Sequence, residues 1–149
     1  MNTRRQRGAQ AVEFALALPF FLVLMLLTID FGFLVINKAV ITNASREAAR
    51  AGTVVTLVPW SVADVALVAC KYARNSLLST NPVTITSDCS GANEPGIAVS
   101  NPNGNVPPHF GDPVTVTVTY PYRGFLTIFQ GIIIEPAWSL QAVSTMNHE

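Results

Sequence analysis

The sequence predicts an α+β chain: a long N-terminal transmembrane helix, a second helix, and then a small antiparallel sheet of about three strands. Three observations carry this expectation. From Phe14 to Ile36 the only charged residue is Asp30, and as a helix that run covers about 34 Å, more than the roughly 30 Å hydrocarbon core of a bilayer. Between Val62 and Leu78 apolar side chains return at three- and four-residue steps, the period of a half-buried helix. From Val114 to Tyr120 valine alternates with threonine, the period of a strand with one wet face.

A length of 149 residues suits one domain plus a membrane segment. Only 12% of the residues are charged, about half the share of an ordinary soluble domain, so part of the chain is meant for lipid or protein partners. Three of the nine basic residues, Arg4, Arg5 and Arg7, precede every acid, leaving six basic against nine acidic side chains in the remainder. Nucleic acid is not an expected partner, because phosphate binding needs clustered Lys and Arg. Basic residues beside an apolar span stay on the cytoplasmic side. Arg4, Arg5 and Arg7 therefore set the topology: residues 1–8 form a cytoplasmic leader and the rest lies outside. A cleaved secretory signal fits poorly, since its apolar core is about 7–15 residues long with a small-x-small site directly after it. Here the apolar run is longer, and Ala49-Arg50-Ala51 lies well beyond its end.

The first helix is expected over residues 9–52, with its transmembrane part at about 14–36. Pro19 lacks a donor and should bend it, Gly32 weakens it, and Gly52 is a natural stop. Ala44, Ala48 and Ala51 share one helical face and allow close approach of another element. The exported domain, 53–149, resumes after Trp60 with Ser61 and Asp64 as N-cap and first-turn acid. In the second helix, Val62, Val65, Ala66, Ala69, Ala73 and Leu77 face inward while Lys71, Arg74 and Asn75 stay wet. Strands are expected at Val83–Thr86, Val114–Tyr120 and Ser139–Met146. Ser90–Asp112 is rich in Gly, Asn and Pro and reads as a long loop, functional or disordered. Phe125–Ile134, bounded by Pro121 and Pro136, is apolar enough for core or for a contact patch toward a neighbour or the bilayer. Cys70 and Cys89, alone in an exported domain, are expected to form a disulfide.

No phosphate-cradling loop, metal-spaced Cys/His cluster or nucleophile elbow is present in the sequence. No catalytic residue, metal or cofactor is therefore expected, and the widely separated His109 and His148 read as solvated surface.

Arg7-Gly8-Ala9-Gln10-Ala11-Val12-Glu13-Phe14-Ala15-Leu16 resembles the start of a type IV-like prepilin, which is cut after a glycine on the cytoplasmic side. The cut would fall between Gly8 and Ala9, making Glu13 the fifth residue and Phe14 the sixth. More narrowly, Gly8 to Pro19 with Ala44 to Gly52 is similar to the TadE-like family of the tight-adherence pilus system, as are Val114–Arg123 and Ala142–Glu149. The resemblance leaves about half the chain, chiefly Thr53–Pro113, unmatched. It implies a pilin-like fold and a minor pilin or pseudopilin that helps to initiate, cap or assemble the pilus. The implied partners are a prepilin peptidase, other minor and major pilins, the inner-membrane assembly platform and membrane lipid. The implied location is the bacterial inner membrane, single-pass with the N-terminus cytoplasmic, with the C-terminal domain in the periplasm or on a surface pilus. Phe14 departs from the tyrosine more usual in the major pilins of that family. An uncleaved membrane-anchored assembly or secretion component and an exported enzyme are the alternative classes.

An ionisable group at the edge of an apolar helix is costly unless paired. Glu13 is accordingly expected to meet the Ala9 amine of a neighbouring subunit, a snorkelling side chain being the plainer alternative. Asp30 is a second candidate for pairing, but its position near the outer interface favours contact with headgroup water.

Overall fold

The computed structural model describes residues 3–54, 60–74, 76–78, 89, 94–104, 107–124 and 138–148, with side chains from Gly8 onward. Helix α1 spans Thr3–Thr53 and α2 spans Val62–Arg74. Strands β1, Gly96–Ser100, β2, Pro113–Tyr122, and β3, Trp138–Asn147, form an antiparallel sheet in the order β1-β2-β3. The α+β arrangement expected from the sequence is the one observed.

Helix α1 continues through Pro19 and Gly32 and begins at Thr3, ahead of the expected start at residue 9. Its first half stands bare, with residues Gly8–Met25 all exposed. From Asp30 onward one side is covered: Asp30, Asn37, Ile41, Ala44, Ser45, Ala48 and Ala49 are buried, at the three-, four- and seven-residue steps of a single helical face. Small side chains along that stripe let the sheet approach closely. At Gly52 a Cβ would lie 3.0 Å from Val114 Cγ1 and 3.3 Å from Val65 Cγ2, so glycine serves packing here; it is not the expected stop, because α1 runs through it to Thr53.

The sheet supplies the other wall. Along β2, Val114, Val116, Val118, Tyr120 and Tyr122 are buried while the alternate residues are partly wet, as valine–threonine alternation requires. Leu140 and Ala142 of β3 and Val65 and Ala69 of α2 complete the core. Strand β2 runs beyond the expected end at Tyr120 and carries Pro121 within it. Because β1 pairs no farther than Thr119, Pro121 has a strand neighbour among the described residues on the β3 side alone, an edge position where its missing donor is tolerated.

Helix α2 starts as expected: the Asp64 amide donates to Ser61 Oγ at 3.1 Å and the Ser61 hydroxyl to Asp64 Oδ2 at 2.7 Å, a cap with its acid in the first turn. It stops at Arg74 and not at Leu78, closing with Ser76 and Leu77 amides on the Ala73 carbonyl. Asn37 explains the stop. Its Nδ2 donates to the Leu78 carbonyl at 2.7 Å and its Oδ1 accepts the Leu78 amide at 2.8 Å, so a side chain of α1 replaces the helical partners of Leu78. Val62 does not face inward and is 42% exposed, whereas Leu77 does pack on the core.

The Ser90–Asp112 stretch is not wholly loop, because Gly96–Ser100 pairs with β2 as an edge strand. Its exposure alternates only between partial and full, so it has no strongly apolar face to announce it. The strand at Val83–Thr86 and the apolar Phe125–Ile134 lie outside the described residues.

The head has a defined polarity. Gly52 meets Val114 at one end, and Tyr122 reaches Asp30 at the other. The beginning of β2, the end of β1 and the end of β3 thus lie far from the bare stem. Tyr122 and its partner Trp138 lie where the bare stem begins.

Candidate functional site on the bare stem and its junction with the head

The residues singled out for processing and assembly all lie on the uncovered part of α1. A side chain at Gly8 would meet nothing within 4 Å among the described residues, so no packing among them calls for glycine there. Ala9 and Glu13 are exposed and Phe14 is 68% exposed. The head begins at Asp30, about 25 Å of helix rise from Glu13, so head residues do not converge on this end. The backbone of Arg4, Arg5 and Arg7 continues the same helix. These positions form a linear display along one helix.

The junction with the head is a site that sequence reasoning placed differently. Asp30 does not reach outward to headgroup water. It is 8% exposed, and the Tyr122 hydroxyl donates toward its Oδ1 at 3.2 Å and its carbonyl oxygen at 3.3 Å. A Cβ on Gly124 would fall 2.6 Å from Asp30 Oδ1, so the carboxylate occupies the space that glycine leaves open. Burial first, and then the neighbouring Asp30 carboxylate, push the Tyr122 phenol far above its ordinary range. The sequence signal was the lone acid in an apolar run. Its direction was invisible, because the covering residues come from a strand about ninety positions away.

Higher on the same face, Ser45 Oγ and Ser144 Oγ lie 2.8 Å apart, and Lys38 Nζ donates to the Gln141 carbonyl. These polar contacts tie the stem to β3. In the head, Cys70 and Cys89 are joined, with Cα atoms 5.8 Å apart, and Cys89 has a backbone φ of 53°. That left-handed conformation is uncommon for a side chain larger than hydrogen.

At the far end His109 and His148, distant in sequence, meet through the backbone about Asp112. Asp112 Oδ2 accepts the His109 amide at 2.8 Å, and its carbonyl accepts the His148 amide at 2.8 Å. Asn103 Nδ2 donates to Asp112 Oδ1 at 2.6 Å, which braces the loop. Among the described residues no group of three or more His, Cys, Asp or Glu can hold a metal ion.

Residues 8–50 match the family model of TadE-like protein; the match takes in Gly8–Pro19 and most of Ala44–Gly52 but not the resembling segments Val114–Arg123 and Ala142–Glu149. The match covers the bare stem and most of the part that carries the head. Neither the curated proteins nor the solved structures include a match to the chain. A TadE-like stem fits a role connected with the tight-adherence pilus. By length and composition α1 is able to cross a membrane once, which is compatible with a single-pass anchor.

Proposed function

We propose that this chain is a minor pilin or pseudopilin that helps to initiate, cap or assemble a tight-adherence pilus, and that a prepilin peptidase cuts it between Gly8 and Ala9. The observation that carries the reading is the bare stem: a TadE-like apolar helix that presents Gly8, Glu13 and Phe14 with no cover from its own head. A long apolar helix face without a partner in its own chain is suited to lipid before assembly and to other helices after it.

Each stem residue has a separate task. Gly8 lets the peptidase approach the backbone without a side chain in the way. Arg4, Arg5 and Arg7 hold the leader in the cytoplasm, so the head is delivered to the periplasm. After the cut, the Ala9 amine is positive, and the Glu13 carboxylate of one subunit meets the amine of the next among packed pilin helices, with Phe14 beside it. In the oxidising compartment the Cys70–Cys89 bridge ties α2 to the segment that follows it. The partners are the peptidase, other minor and major pilins and the inner-membrane assembly platform.

The test is the mature N-terminus. Intact-mass analysis of protein co-expressed with a prepilin peptidase is expected to give a chain beginning at Ala9, and Gly8→Leu a chain that keeps Met1. An uncut wild-type chain would favour an uncleaved anchor, and normal maturation of Gly8→Leu would remove the role given to glycine.

A further inference from the structure

The lower end of the head combines features that the pilus role does not use. Asp30 lies about 9 Å of helix rise short of Ile36, the end of the apolar run. On a stem that spans a bilayer, that position is within the hydrocarbon. Its carboxylate is turned into the head, against the Tyr122 hydroxyl and the space left by Gly124. The outward side of the same stretch is the reverse, with Phe31 67% exposed and Val35 and Ile36 about half exposed. Trp138 is the cross-strand partner of Tyr122 and so lies on the same face of the sheet. At that lower end it is 58% exposed.

A head standing clear in water gains little from this arrangement. It would wet Phe31, Val35 and Trp138 while enclosing the one group of that stretch that water solvates best. A head dipped into lipid has a reason for each feature. Apolar side chains face hydrocarbon, tryptophan sits near the interface it favours, and the carboxylate is sheltered by protein donors because lipid offers none.

We propose that the lower end of the head is seated in the outer leaflet of the bilayer, with Asp30 sheltered at hydrocarbon depth and Trp138 toward the headgroup boundary. Phe31, Val35, Ile36 and Trp138 are each covered by lipid continuous with that around the bare stem. This rests on the single-pass anchor and adds a second contact with the membrane, from the folded head.

The two tryptophans of the chain make the test direct. Trp138 is at the lower end, whereas Trp60 is at the far end, its Nε1 donating to the Gly52 carbonyl at 2.9 Å. The full chain is reconstituted at high dilution in phosphatidylcholine–phosphatidylglycerol vesicles, with and without lipids brominated near the top of the acyl chain. Trp138→Phe serves as the blank, and because Trp138 is largely exposed the variant keeps its fold. Wild-type emission is expected to lose up to about half its intensity to brominated lipid, one of two tryptophans lying in the leaflet. Emission from Trp138→Phe should be unchanged. Leu24→Trp in the Trp138→Phe background reports the stem and should be quenched by deeply brominated lipid. Quenching of that reporter together with iodide-accessible, lipid-insensitive Trp138 would overturn the seating and leave the anchor standing. Trp138 shielded from both quenchers would mean a protein neighbour covers the surface, which also overturns it. An unquenched Leu24→Trp would remove the anchor and the seating together.

Discussion

Tyr122→Phe isolates the contact between stem and head, because it removes one hydroxyl and leaves the ring in the core. The hydroxyl reaches Asp30 Oδ1 at 3.2 Å and the Asp30 carbonyl at 3.3 Å. Both are longer than the usual 2.7–2.8 Å of an O–H···O bond. A hydrogen bond to a charged acceptor contributes about 1.5–3 kcal/mol, and these long distances place this one toward the lower part of that range. Asp30 also makes a further interaction, so the change does not leave the residue without a partner. The expected cost is about 1–2 kcal/mol, or roughly 5–15 °C in melting temperature for a head of this size. The pH dependence supplies a second reading. The folded-state phenol is raised above its ordinary value of about 10 by burial and then by Asp30. Its contribution is therefore complete below about pH 10 and is lost as pH rises through the folded value. Melting followed by circular dichroism in detergent micelles should show wild type above Tyr122→Phe at pH 7, with the gap closing above about pH 10. Equal melting temperatures at pH 7, or a gap that stays constant to pH 11.5, would refute this account of the junction.

Other changes probe other links. Glu13→Ala should leave cleavage after Gly8 and membrane insertion intact, since it alters neither glycine nor apolar run. Surface pili should fall in number, and wild-type counts by electron microscopy, with the variant as sole copy, would dismiss the pairing with Ala9. Cys89→Ser should cost about 3 kcal/mol for a loop with a sequence separation of 19, read as a lowered melting temperature. Quantitative labelling of both wild-type thiols in protein exported without reductant would show that the bridge does not form. Asn37→Leu strips Leu78 of both backbone partners and should cost about 2–3 kcal/mol, with faster hydrogen exchange at the end of α2 as its local signature. Unchanged exchange there would deny Asn37 its role in stopping the helix.

Local pattern determined much of this protein. The apolar run and its leading arginines, the Ser61–Asp64 cap and the valine–threonine alternation of β2 each express a preference that acts between residues a few positions apart. That is why α1, the start of α2, β2 and β3 were legible without coordinates. Gly8, Ala9, Glu13 and Phe14, the residues proposed for processing and pairing, stand out for the same reason, as one linear stretch at the mouth of the apolar run. What the sequence left open depends on distant partners. Gly96–Ser100 becomes a strand because β2 offers it hydrogen bonds, and its own residues present no strongly buried face. Helix α2 ends at Arg74 because Asn37, on another helix, takes the Leu78 backbone. Asp30 turns inward and not toward water because Tyr122 and Gly124 close over it. In each case the deciding free energy is the satisfaction of a polar group by atoms far away in the chain, which no local periodicity encodes.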